Sequence, residues 1–165
     1  GLVVATYDEE SQEVDYLHKE IHSDIQGIAL IPDFELSTKA SRQVLPSEFV
    51  YSQAVQASSR SNVLVAALWQ EDWENVSRIV EKDLFHEPYR ETLIPFLTPV
   101  RKLAKEKEAI GTYLSGAGPT VMVLSSKENA PSIAQHLQEQ LPSELGNYNI
   151  QVLTVDQVGV RVEKR

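Results

Sequence analysis

Two short runs of strand-forming residues, 110–114 and 120–124, are joined by Ser115-Gly116-Ala117-Gly118-Pro119. This joint limits the possible folds more than any other segment. A link so short returns the second strand beside the first and antiparallel to it. Two glycines around one alanine permit positive φ, and Pro119 fixes the exit from the turn. The same residues also let backbone approach a ligand closely and aim N–H groups at an anion. Both readings, a tight hairpin and a ligand-binding turn, stay open on these residues alone. The segment is not a Walker loop, because no Gly-Lys-Ser/Thr follows it.

The rest of the chain reads as strands, then helices, then strands. Residues 1–6 and the alternating run 13–21, separated by Tyr7-Asp8-Glu9-Glu10-Ser11, predict a β-hairpin. Residues 25–31 predict a third strand, stopped by Pro32. Ser37 or Thr38 suits the N-cap of a short helix ending near Val44 or Leu45. Pro46-Ser47-Glu48 reads as the opening of a long helix. In it Val50, Ala54, Val55, Ser58, Val63, Leu64, Ala67 and Leu68 recur near the helical period and predict one broad buried face. Further helices are predicted over 72–83, with Trp73, Val76, Ile79 and Val80 inward, over 97–108, and over 130–141 from Pro131. Residues 150–155 and 159–162 predict closing strands. This order argues for an α+β fold, an antiparallel sheet covered by helices, with residues 1–165 as one domain.

Charge and composition narrow the function classes. The net charge of −9 disfavours nucleic acid and anionic lipid as partners. No apolar run approaches the roughly 18 residues of a membrane span. The absence of cysteine excludes disulfides and thiolate metal sites. Of His18, His22, His86 and His136, only His18 and His22 fall four apart, and strand-like sequence surrounds them, so no metal site is expected. The start at Gly1, without a charged stretch before an apolar one, argues against a signal peptide and suggests a start within something longer.

Two further groups of residues could carry chemistry. In Ser37-Thr38-Lys39-Ala40-Ser41-Arg42, Thr38 and Arg42 fall one helical turn apart on one face. A hydroxyl and a guanidinium so placed can hold a carboxylate. They also fit a capping residue and a solvated arginine. In His86-Glu87-Pro88-Tyr89-Arg90, Arg90 reads as a ligand clamp or as one half of a surface salt bridge. Trp69 and Trp73 read as core or interface, and Arg101-Lys102-Leu103-Ala104-Lys105-Glu106-Lys107 as a solvated helix face. No Ser-His-Asp order and no paired carboxylates stand out, so no catalytic residue is named.

Taken in order, Ile31-Pro32, Leu36-Ser37-Thr38-Lys39-Ala40-Ser41-Arg42, Val44-Leu45-Pro46, Asp83, His86-Glu87-Pro88-Tyr89-Arg90, Leu93-Ile94-Pro95 and the glycine turn resemble the C-terminal half of homoserine kinases. The resemblance covers residues 1–162. The turn alone indicates only the wider superfamily of galactose, homoserine, mevalonate and phosphomevalonate (GHMP) kinases. The Thr38/Arg42 and Arg90 segments narrow it.

The resemblance implies a ferredoxin-like C-terminal domain and transfer of the γ-phosphate of ATP to the hydroxyl of L-homoserine, in threonine biosynthesis and in the cytoplasm. It implies that Thr38 and Arg42 line the homoserine site and that Arg90 pairs with the substrate carboxylate. Gly116, with Ser115, Ala117 and Gly118, would form the loop beside substrate and phosphate. It also suggests a homodimer. Gln53 and Ala57 depart from an Asp and an Asn usual in the family, and Ser41 stands for a small or acidic residue, a change read as harmless. The family's Pro-x-x-x-Gly-Leu-Gly-Ser-Ser loop has no match here. ATP and Mg2+ are therefore expected in the full-length parent and not as tight ligands of this chain, which is expected to be inactive alone. A GHMP kinase with another alcohol substrate, and an amino-acid-binding or dimerisation module, are the alternatives.

Overall fold

The computed structural model describes residues 1–22 and 24–163. Strands β1 (Leu2–Tyr7) and β2 (Val14–Lys19) form an antiparallel hairpin in which Val4 faces Leu17. Its turn is closed by Asp8, whose carboxylate accepts the backbone N–H groups of Glu10 (2.9 Å) and Ser11 (2.7 Å).

Strand β3 (Ile25–Pro32) leads into a helical block: α1 (Thr38–Gln43), α2 (Tyr51–Gln70), α3 (Trp73–Ile79), α4 (Glu87–Arg90) and α5 (Leu97–Lys105). Then come β4 (Gly111–Leu114), β5 (Val121–Ser126), α6 (Ala130–Gln140) and β6 (Tyr148–Thr154). The second sheet is antiparallel throughout, in the order β4-β5-β3-β6. Strand, helices, strand, strand, helix, strand in that spatial order is the ferredoxin-like arrangement. The fold class is as the sequence implies.

Alternation fixes which face of the sheet is core. Ile28, Leu30, Val121 and Val123 are fully buried and point to one side. Against them pack Leu97, Val100 and Ala104 of α5 and Ala130, Ile133 and Leu137 of α6. The opposite side, with Tyr113 and Leu124, looks toward α2 and α3 across a cavity.

Three sequence expectations fail, and two helices come out shorter than expected. The long helix begins at Tyr51, after Val50 as N-cap, and not at Pro46. Its predicted buried face is not buried as a whole: Val50, Val55 and Val63 are 69, 50 and 50% exposed, while Ala57 and Ala67 are buried. α2 rests chiefly on α3 and the hairpin, and Val50, Val55 and Val63 remain on its exposed side. Lastly, residues 159–162 form no strand. The β3 edge is already taken by β6, and Asp156 turns the chain by accepting the Val158 N–H at 2.9 Å. The helix predicted over 72–83 is shorter, ending at Ile79, and that over 97–108 ends at Lys105.

Candidate functional site

Ser37 caps α1 by accepting the Ala40 N–H at 3.1 Å. The cap sets the helix phase, so Thr38 and Arg42 share one face while Ser41 turns inward, fully buried. α4 has a cap of a different kind. The Asp83 carboxylate accepts the N–H groups of Glu87 (2.6 Å), His86 (2.7 Å) and Phe85 (2.9 Å). Burial pushes the Asp83 pKa up, but those three N–H groups and the neighbouring His86 outweigh it, and the net shift is downward.

The glycine turn joins β4 to β5. Gly116 has φ +59° and Gly118 φ +83°, both in the region that glycine alone enters cheaply. The Ser115 N–H donates to Thr120 O (3.0 Å) and the Gly118 N–H to Ser115 O (3.1 Å), which closes the frame.

These three segments meet. The Arg90 guanidinium, 8% exposed, donates from Nε to Ser41 O (3.2 Å) and from Nη1 to Gly116 O (3.1 Å). The Ser41 hydroxyl donates to Ala117 O (2.8 Å). Helix α1, helix α4 and the turn are thus tied at one point. Beside that point lies a cavity of about 680 Å³, lined by Thr38, Arg42, Asp83, His86, Glu87, Arg90, Tyr113, Gly116 and Ala117. Its floor is aliphatic: Leu64 and Leu68 of α2, Val76 and Val80 beyond them, and Leu124 of β5. Burial raises the Tyr113 pKa, so the phenol stays neutral there.

Thr38, Arg42, Arg90, Gly116 and Ala117 therefore face one space. Ser115 and Gly118 do not line it; they hold the frame of the turn. Thr38 and Arg42 are exposed, and neither side chain has a hydrogen-bond partner among the described residues. Two corrections concern α4 and α5. Glu87 is buried and does not pair with Arg90: it accepts Arg101 Nη2 (2.7 Å) and the Leu114 N–H (2.8 Å). Arg101, read from sequence as solvated, is half-buried and also reaches Thr112 O (3.1 Å). Gln53 donates to the Tyr89 hydroxyl (3.3 Å), and Ala57 is buried in α2. The aliphatic floor went unseen in the sequence, because Leu64, Leu68, Val76 and Val80 carry only a core-like pattern.

Comparison with known proteins adds the following. Residues 64–143 match the family model described as GHMP kinases C terminal. The chain is 49% identical over 143 residues to a homoserine kinase of Streptococcus sanguinis, covering 86% of this chain and 48% of that protein. It is 41% identical over 163 residues to one from Bacillus pumilus, covering 99% and 50%. Among solved structures, the homoserine kinase of Cytophaga hutchinsonii superposes with a TM-score of 0.80 at 31% identity, over 88% of this chain and 46% of that one. The chain spans about half the length of the curated relatives it matches.

Proposed function

This chain belongs to the GHMP kinases and corresponds to the C-terminal half of their homoserine kinases, and on that premise we propose that it supplies the amino-acid pocket of an ATP-dependent homoserine kinase. The observation that carries the reading is the meeting of Thr38, Arg42, Arg90 and Gly116, from three distant segments, around one cavity. An amino acid brings one fixed carboxylate. Arg42 has its whole guanidinium free for it, and Arg90 keeps those of its five N–H donors that Ser41 and Gly116 do not use. Thr38 adds a hydroxyl on the same helical face.

Holding the carboxylate aims the distant hydroxyl. In the reaction that hydroxyl oxygen bonds to the γ-phosphorus of ATP, the bridging P–O bond breaks with ADP as leaving group, and the hydroxyl proton is lost. The gain is in orientation rather than covalent chemistry. The described residues contain no group of three or more His, Cys, Asp or Glu side chains fit to hold a metal ion. The chain also lacks a Gly-Lys-Ser/Thr loop. The family's phosphate loop has no match in this chain, and in this reading nucleotide and magnesium recognition belong to the rest of the protein. The product, O-phospho-L-homoserine, feeds threonine synthesis in the cytoplasm under this reading.

The test is kinetic, on the full-length enzyme. Arg42→Ala raises the homoserine KM about ten- to a hundredfold, the worth of a hydrogen bond to a charged group. The ATP KM stays within about twofold, since carboxylate binding alone is lost. A wild-type enzyme inert toward homoserine, or an unchanged homoserine KM in the variant, overturns the assignment.

A further inference from the structure

The cavity wall is built from short pieces with few means of holding position. α1 has six residues and α4 has four. Neither can be stable alone, because helices shorter than about 12 residues are marginal in water. Their placement must come from contacts with the sheet. Two such contacts end on the glycine turn, and both are made to its carbonyl groups: Arg90 Nη1 to Gly116 O and Ser41 Oγ to Ala117 O. A third, Arg90 Nε to Ser41 O, closes a triangle among α1, α4 and the turn.

The triangle also orients the turn. The peptide between Gly116 and Ala117 is trans, the cis bond lying at Gly118-Pro119. Its N–H therefore points opposite to the carbonyl that Arg90 holds. The N–H groups of Gly116 and Ala117 have no acceptor among the described residues. Pinned carbonyls with free N–H groups are the arrangement of a donor site kept ready for an oxygen anion.

We infer that Ser41 is a positioning residue of the amino-acid site: its buried hydroxyl, together with Arg90, locks α1 to the glycine turn. The lock keeps Thr38 and Arg42 at a fixed distance from the turn's free N–H groups. Ser41 touches no substrate in this scheme. The residue is not a neutral substitution, as the sequence alone suggested, because at full burial its hydroxyl satisfies a carbonyl that alanine would leave bare. The kinetic part of the inference rests on the homoserine reading above.

Two measurements on the full-length enzyme test it. In the first, Ser41→Ala raises the homoserine KM roughly three- to tenfold, the range of one hydrogen bond, with the ATP KM unchanged, while Ser41→Thr, which keeps the hydroxyl, restores most of the loss. A homoserine KM unaltered in Ser41→Ala, or homoserine and ATP KM rising together, overturns the positioning role. In the second, amide hydrogen exchange compares the same proteins without substrate. Exchange in residues 38–43 and 115–118 speeds up together, about tenfold, in Ser41→Ala, and residues 130–140 keep the wild-type rate. Unchanged exchange in residues 38–43 overturns the lock even in a protein that proves not to phosphorylate homoserine.

Discussion

Gly116 and Gly118 sit two positions apart, both at positive φ, yet they meet different surroundings. A Cβ on Gly116 would find nothing within 4 Å, whereas one on Gly118 would lie 2.5 Å from Ile94 Cδ1. Ile94 is fully buried in the core, so it cannot swing aside without cost. Gly116→Ala pays the left-handed backbone penalty alone, about 1–2 kcal/mol. Gly118→Ala adds overpacking of roughly 1–3 kcal/mol. Urea unfolding of the two variants is expected to show the larger loss at Gly118, and equal midpoints would contradict this account. The residues of the candidate site were legible in the sequence for one reason. Thr38, Arg42, Arg90 and Gly116 are polar or conformationally special residues in short segments with a recognisable order. The bonds of Ser41 and Glu87 were not legible, because their partners, Ala117 O and Arg101, come from far along the chain. No local pattern announces a bond across that separation. The aliphatic floor was hidden because a leucine facing a cavity looks, in sequence, like a leucine facing a core.

Among the elements, α4 is the most dependent on a single side chain. It is one turn long, carries both Glu87 and Arg90, and begins at N–H groups that, among the described residues, Asp83 alone satisfies. Asp83→Ala should cost about 1–2 kcal/mol, at the upper end for a helix cap. The cap also has a pH dependence with a definite sign. The folded-state pKa of Asp83 lies below its ordinary value of 3.8. Its contribution is therefore complete above about pH 5 and lost as pH falls through the unfolded value and then the lowered folded one. Acid unfolding monitored between about pH 5 and 2 should show a weaker pH dependence in Asp83→Asn, which cannot titrate. Identical profiles would remove Asp83 from the account. The elements themselves were read unevenly. The sheet strands were clear, since β3 and β5 alternate or run apolar between turn residues. The bounds of α2 and α3 were not, because Pro46 and Asp83 look like helix ends but serve a loop and a cap. The strand expected over 159–162 has the right alternation but pairs with none of the edge strands. Val160 stands 94% exposed.

Across the whole molecule, burial is concentrated in one half. β3, β5, α5 and α6 hold most of the fully buried hydrophobic residues, while the β1–β2 hairpin leaves Val3, Tyr7, Val14, Tyr16 and Leu17 more than half exposed. The hairpin is joined to the remainder through Lys19, which donates to Trp69 O and pairs with Glu71 at 3.3 Å, through the apolar groove of Val4, Leu17, Val65 and Trp69, and at its ends through the Gly1 amino group on Asp156 O, Gln157 on Ile21 O (2.8 Å) and the His22 N–H on Glu71 (3.2 Å). A two-stranded ribbon is marginal alone, and one ion pair, a shallow groove and a few exposed hydrogen bonds at its ends add little to it. The chain is therefore expected to open in two steps, with the hairpin freed at a lower free energy than the four-stranded sheet. Native-state hydrogen exchange on this chain gives the measurement: amides of residues 2–7 and 14–19 exchange through an opening several kcal/mol below that of residues 25–32 and 121–126. One shared opening energy for both sheets would mean that the hairpin belongs to the same cooperative unit as the core. In that case Lys19 and the groove hold it far more firmly than their exposure and area allow. Lys19→Ala then decides where that strength lies, since an ion pair would be lost with the substitution and groove packing would remain.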